Sequence, residues 1–306
     1  MDIYALLSER FAKLTLVRNF SFARNTTIGC GGTAAVCAYP TGKEELTALI
    51  SFLEKQKIAY CFLGAGANVL PAEGYYSGVV IRFSRMRRLV AKGERIIADA
   101  GVTGGELLRF ARAHNIGGLE FLTGIPTTVG GATCGNAGVG EGHIGDLVLE
   151  VCGVEHGKMR VFSLTDCAFS EKKSAFQNGA AIAEVTLRGF SSSQEKIEAR
   201  LAYFRDRRRH LPKGRSMGCV FVNPPEISAG KLIEDCGLKG FRLGGAYVAE
   251  EHANFVMNGG ATALEISTLI EHIKRTVFER TGILLREEIR RLPVDYIQES
   301  TAENRI

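Results

Sequence analysis

Two short stretches of this 306-residue chain place glycine where a backbone has to come close to something. The first, Gly64-Ala65-Gly66-Ala67-Asn68, follows an apolar run over 58–63 that reads as a buried strand. Gly64-x-Gly66 after a strand is half of a dinucleotide fingerprint, but Val69 stands where its third glycine belongs. On its own the segment is equally a turn whose glycines supply positive φ. The second, Gly124-Ile125-Pro126-Thr127-Thr128-Val129-Gly130-Gly131-Ala132, is more specific, because free amides, two hydroxyls and no bulky side chain are what a pyrophosphate requires.

The elements that must carry these loops are legible from spacing. Leu46, Leu49, Ile50 and Leu53 recur at helical intervals ahead of the 58–63 strand, and 79–83 and 95–100 read as further strands. A helix begins at Glu106, and 147–154 and 181–187 are strand-like. A helix bearing Ile197, Leu201 and Phe204 on one face ends in Arg205, Arg207, Arg208 and Arg209, and Pro212 stops it. Thr262-x-x-Glu265 is a capping box for a helix whose core face is Leu264, Ile266, Leu269, Ile270, Ile273 and Val277, closed by Gly282. A last strand is expected over 283–285, and a polar tail after Pro293. Strands and helices alternate unevenly, which predicts an α+β chain.

Lys and Arg number 38 against 33 Asp and Glu, so the net charge of +5 suits an anionic ligand or a solvated surface alike. No basic tract interleaved with aromatics points to nucleic acid. The eight cysteines form no C-x-x-C pair, which predicts reduced thiols in a cytoplasmic protein and no metal site. The N-terminal stretch lacks a signal-peptide core, and no apolar run approaches the ~18 residues that span a bilayer.

The run Gly118-Leu119-Glu120-Phe121-Leu122-Thr123 leading into Gly124–Ala132, with Asn136-Ala137-Gly138, resembles the flavin-binding core of the UDP-N-acetylenolpyruvoylglucosamine reductases. So do Asn25-Thr26-Thr27-Ile28-Gly29 and Leu63–Leu70. Downstream, Gly218-Cys219-Val220-Phe221-Val222-Asn223-Pro224, Ala229-Gly230-Lys231-Leu232-Ile233-Glu234 and His252-Ala253-Asn254-Phe255-Val256-Met257-Asn258 are similar to that family's substrate domain, in order. The resemblance covers about residues 20–291. It implies a two-subdomain FAD-binding unit of the vanillyl-alcohol-oxidase type over 20–190, divided near 85. A smaller α/β substrate-binding domain follows over 196–291, and a tail over 292–306. It also implies an enzyme of peptidoglycan precursor synthesis that uses NADPH and noncovalent FAD to reduce UDP-N-acetylglucosamine enolpyruvate. The interval from Lys172 to Cys219 leaves no room for the tyrosine-bearing loop of one subclass, so the chain resembles the loop-less one. The oligomeric state stays open, a monomer included.

By the same resemblance FAD sits on Gly64, Ala65, Gly66, Ala67, Asn68, Gly124, Ile125, Pro126, Thr127, Thr128, Gly130, Gly131, Ala132, Asn136 and Gly138. Hydride passes from flavin N5 to the vinyl carbon. Charge then develops as an enolate, which needs a cation or a proton-sharing acid, and a separate acid must protonate the neighbouring carbon. The family's proton-donating Ser is Cys219 here, and a thiol is mostly protonated at neutral pH yet far more acidic than an alcohol. The enolate-side Glu falls on Glu288, with Glu287 the near miss. The family Arg aligns with Lys172, or with Lys173, which keeps the charge without the bidentate fork. Asn223, Arg208, Arg209 and His252 are expected at the substrate. The competing readings are another flavin oxidase or dehydrogenase of the same fold, and a binding module without catalysis.

Overall fold

A computed structural model describes residues 2–292, so the tail expected beyond Pro293 lies outside the described residues. The first sheet orders Thr15–Ser21, Thr33–Tyr39, Tyr75–Arg82 and Tyr60–Leu63, the last three parallel and the first antiparallel at the edge. Helix Lys43–Lys55 links two of these strands, and its Leu46, Leu49, Ile50 and Leu53 are buried, as their spacing predicts. The carboxyl end of Tyr60–Leu63 opens into Gly64–Asn68, the place where an open parallel sheet leaves a crevice for a ligand.

The second sheet is antiparallel, ordered Lys158–Ser163, Val148–Glu155, Ala181–Arg188, Arg95–Asp99 and Leu89–Lys92. It shares one hydrophobic core with the first sheet: the buried face of helix Lys43–Lys55 belongs to the same cluster as Val36, Val79 and Ile81 and as Val151, Ile96 and Val185. Helix Val129–Cys134 lies flush on this sheet: the Gly130 amide donates to Ala100 O at 2.9 Å, and a Cβ at Gly130 would stand 2.8 Å from the Ala100 Cβ.

The third sheet orders Ser216–Cys219, Phe255–Asn258, Ala246–Val248 and Arg242–Leu243, all antiparallel. Helices Ala229–Asp235 and Ala263–Thr281 pack on it, the second starting at the expected Thr262–Glu265 capping box and ending at Gly282. Two details differ from expectation. Leu264 is 69% exposed, and Ala263 takes its place in the core face. Helix Gln194–Arg207, placed by sequence with the substrate domain that begins near 196, instead sends Phe204 into the core of the first two sheets.

The chain end joins the parts. No strand forms at 283–285, where Leu284 is 67% exposed. Residues 286–288 cross beside 220–222, with Val222 N donating to Arg286 O at 3.0 Å and Glu288 N to Val220 O at 2.7 Å. Arg290–Leu292 then pairs in parallel with Val69–Pro71 of the first unit. Asn254, 2% exposed, fixes the middle of this arrangement: its Oδ1 accepts from Phe221 N at 2.9 Å and its Nδ2 donates to Phe221 O at 2.8 Å. Among the described residues no helix is long and apolar enough to cross a membrane.

Asn254→Ala leaves a buried N–H and a buried C=O of Phe221 without partners. We expect it to lower unfolding free energy by about 2–5 kcal/mol, read from the urea midpoint at unchanged slope. A change below roughly 0.5 kcal/mol, the ordinary range for a surface substitution, would mean the clamp is dispensable.

Candidate functional site

The two glycine-rich loops meet. A Cβ added to Gly64 would lie 2.9 Å from Thr128 Oγ1 and 3.7 Å from Gly131 Cα, so bare backbone is what lets the loops face one another. Gly66, at φ 71, could not carry a side chain, since its Cβ would stand 2.5 Å from Asn25 O. Between and beyond these loops lies a cavity of ≈ 1530 Å³. A site for one small ligand is usually ~300–1000 Å³; this one has room for a dinucleotide and a second molecule beside it.

Of the fifteen residues expected to seat the cofactor, thirteen line the cavity. Thr128 and Ala132 do not. Thr128 caps helix Val129–Cys134, accepting from Gly131 N at 3.1 Å, and Ala132 is 1% exposed in the core, one helical face away from the opening. Asn136 borders the cavity, but its amide is spent inside the protein, accepting from Gly145 N at 3.0 Å and donating to Ser170 O at 2.8 Å. Asn68 donates from Nδ2 to Glu288 O at 3.2 Å and so ties the first loop to the returning chain end. Backbone amides remain as the donors: those of Ala65 and Ala67 find no acceptor among the described residues. A glycine-lined cradle with outward amides fits the diphosphate of a dinucleotide such as FAD.

Cys219, Lys172 and Glu288 converge on the same cavity. The strand Ser216–Cys219 carries a register shift against Phe255–Asn258, with Gly218 at φ 75, and such a bulge re-aims the next side chain. Lys172 occupies the tip of a tight turn closed by two hydrogen bonds between Ser170 and Lys173. Its Nζ lies 3.5 Å from Glu288 Oε1 and donates to Gly138 O at 3.2 Å. Lys173 is exposed and does not reach the cavity. In an extended segment neighbours point to opposite sides. Glu287 therefore pairs outward with Lys274 and Arg291, at 3.3 and 3.0 Å, while Glu288 points in.

Burial pushes the Cys219 thiol up to about 11; Glu288 adds to this, and Lys172 and Arg208 oppose it. Burial likewise raises Glu288 above the usual carboxylate range, against the pull of Lys172. Burial lowers Arg208, which lines the cavity across from Gly124. Arg209 points elsewhere, as an exposed helix-end cation paired with Asp206 at 3.3 Å. Asn223 lines the cavity with its Oδ1 accepting from Ala229 N at 3.0 Å. His252 also lines it; burial lowers its pKa, and its Nδ1 accepts from Asn254 N at 3.3 Å.

Sequence reasoning did not single out Arg290 or Gln177, which also line the cavity. Arg290 donates to Gln177 O at 2.8 Å and approaches Cys134 Sγ at 3.5 Å. Its position two residues past Glu288 on an extended chain, hence on the same face, was the available signal.

Alkylation follows the thiolate. At pH 8 a thiol held near 11 should react on the order of a hundredfold more slowly than an unperturbed one. Site-resolved mass spectrometry against pH should show Cys219 labelling climb only toward pH 11; labelling at the free-thiol rate at pH 8 would contradict the buried, protonated assignment.

Comparison with known proteins matches residues 209–292 to the C-terminal domain of UDP-N-acetylenolpyruvoylglucosamine reductase, and residues 34–156 to an FAD binding domain. The UDP-N-acetylenolpyruvoylglucosamine reductase of Moorella thermoacetica is 38% identical over 297 residues, covering 94% of this chain and 98% of its own. That of Geobacter metallireducens is 37% identical over 293 residues, covering 94% and 97%. The crystal structure of the reductase from Thermus caldophilus superposes with a TM-score of 0.77 at 32% identity, covering 92% of this chain and 99% of the other.

Proposed function

The chain belongs to the UDP-N-acetylenolpyruvoylglucosamine reductase family, and from that premise we propose that it reduces UDP-N-acetylglucosamine enolpyruvate to UDP-N-acetylmuramate with NADPH, in the cytoplasm. The observation that carries the reading is the convergence of Cys219, Lys172 and Glu288 on the cavity that the two glycine-rich loops line. FAD, when bound, supplies hydride acceptance from a nicotinamide and hydride donation to the enolpyruvyl double bond.

The glycine loops would hold the diphosphate of FAD through backbone amides. Gain of hydride at the terminal vinyl carbon leaves negative charge on the carboxylate side of the substrate. Lys172 offers the fixed cation there, held in place by the Gly138 carbonyl and Glu288 Oε1. Glu288, its carboxyl raised by burial, shares a proton with the developing enolate. Cys219 keeps its proton through neutral pH and delivers it to the neighbouring carbon. The thiolate left behind is held by Lys172 and Arg208, both within electrostatic reach. Asn223, His252 and Arg208 line the remainder of the cavity and are assigned to the sugar nucleotide, Arg208 toward its diphosphate. Arg209, facing solvent, is left out of this set. The division into an FAD unit and a substrate-binding domain remains part of the proposal, with helix Gln194–Arg207 grouped with the former by its packing.

Purified protein should be yellow, bleach with NADPH and regain colour on addition of the enolpyruvyl sugar nucleotide. Colourless protein that takes up no added FAD would sink the assignment, and bleaching without recovery by the sugar would favour an oxidase or a module that only binds. Cys219→Ala should keep flavin reduction by NADPH while losing at least about 100-fold in sugar reduction, the ordinary size of a general-acid contribution. Cys219→Ser should retain a substantial fraction. Full turnover in the alanine variant would remove Cys219 from the proton step.

A further inference from the structure

Arg82 ends the strand Tyr75–Arg82 and lies behind the first glycine-rich loop, outside the cavity lining. Its Nη2 donates to Gly64 O at 3.4 Å and its Nη1 to Asn25 Oδ1 at 2.6 Å. The Tyr39 hydroxyl shares a further hydrogen bond, Cys37 lies nearby, and the Phe20 ring centroid is 5.9 Å from the guanidinium carbon. All of these partners are neutral. No carboxylate pairs with Arg82 among the described residues, and its buried Nε has no hydrogen-bond partner. Even partial withdrawal of a cation from water without an anion is costly, and such a group persists where something else compensates it.

The geometry of the loop points to what that is. In a trans peptide the C=O of one residue and the N–H of the next point in opposite directions. Arg82 draws the Gly64 carbonyl backward, which turns the Ala65 N–H away from Arg82. Thr27 N does the same to the Gly66 carbonyl at 3.0 Å, and the Ala67 N–H turns correspondingly. Asn25, fixed by Arg82, sets its own carbonyl against Gly66, where only glycine fits. One half-buried cation thus orients the amides, polarises them and holds the neighbour that shapes the loop.

We propose that Arg82 is the positioning residue and half-buried counter-charge for an anionic diphosphate seated on residues 64–68; this rests on the FAD reading above. The anion binds the amides on one face of the loop and offsets the guanidinium on the other. Without it the charge stays uncompensated, so Arg82 destabilises the empty protein and strengthens its hold on the ligand.

The test uses the full-length chain stripped of flavin and titrated with FAD, followed by flavin fluorescence, with the urea midpoint of each apoprotein measured alongside. Arg82→Met should weaken FAD binding about 10- to 100-fold, the loss expected for a charge-assisted hydrogen bond and its field. Its apoprotein should unfold at the same urea concentration as the wild type or a higher one. Arg82→Lys should recover most of the affinity. A lower apoprotein midpoint in Arg82→Met, an unchanged FAD affinity in that variant, or no recovery with lysine would each overturn the proposal and leave Arg82 a structural prop. Failure of the wild-type chain to take up FAD would instead overturn the functional reading.

Discussion

The molecule depends on one extended segment, residues 286–292, that is paired on both of its flanks by different parts of the fold. On one side 286–288 hydrogen-bond to 220–222, which belong to the substrate-side sheet. On the other, Arg290–Leu292 joins Val69–Pro71, immediately after the first glycine-rich loop. The Asn68 side chain closes the gap by donating to Glu288 O. This double pairing fixes the register of the chain end against both units, and register decides function. A slip of one residue would exchange inward and outward sides, bringing Glu287 into the cavity and turning Glu288 toward Lys274 on the outside.

That register places a carboxyl group, an ammonium and a thiol together in one cavity, where burial and pairing pull in opposite directions. For Glu288 and Cys219 burial dominates, and both are shifted toward the protonated form despite the nearby Lys172. A lysine at this point has one nitrogen to share between the Gly138 carbonyl and Glu288, where a guanidinium would hold both with separate N–H groups. The two departures that the resemblance implies, lysine for arginine and cysteine for serine, thus stand in one cavity.

Much of this was legible in the sequence, and the rest failed for identifiable reasons. Periodicity located the buried stripe of helix Lys43–Lys55, and periodicity with capping chemistry located both ends of Ala263–Thr281. Motif order located Cys219, Lys172 and Glu288, and the structure brings all three to one cavity. Side-chain direction was not legible where the backbone does the binding. Thr128 and Ala132 lie within a motif whose glycines face the cavity, but a cap and a helical turn point them elsewhere. Arg209 looked equivalent to Arg208 until the helix end separated them. The chain-end strand was misplaced because 283–285 is apolar, whereas the true strand, Arg290–Leu292, begins with two arginines and owes its pairing to a partner more than two hundred residues away.

The missing third glycine of the dinucleotide fingerprint now has a physical account. In the βαβ fingerprint the third glycine allows a helix to pack closely on the strand it follows. Here the residues after Gly64–Asn68 enter a strand, Val69–Pro71, so no helix has to approach and Val69 has a sheet partner in Arg290. The amides are oriented by hydrogen bonds from Arg82, Thr27 and Arg290 to the carbonyls of Gly64, Gly66 and Asn68, rather than by a helix N-terminus. Alternate carbonyls drawn back leave alternate N–H groups turned forward. A loop built this way needs glycine only where the backbone is crowded or at positive φ, which is why two glycines suffice where the fingerprint asks for three.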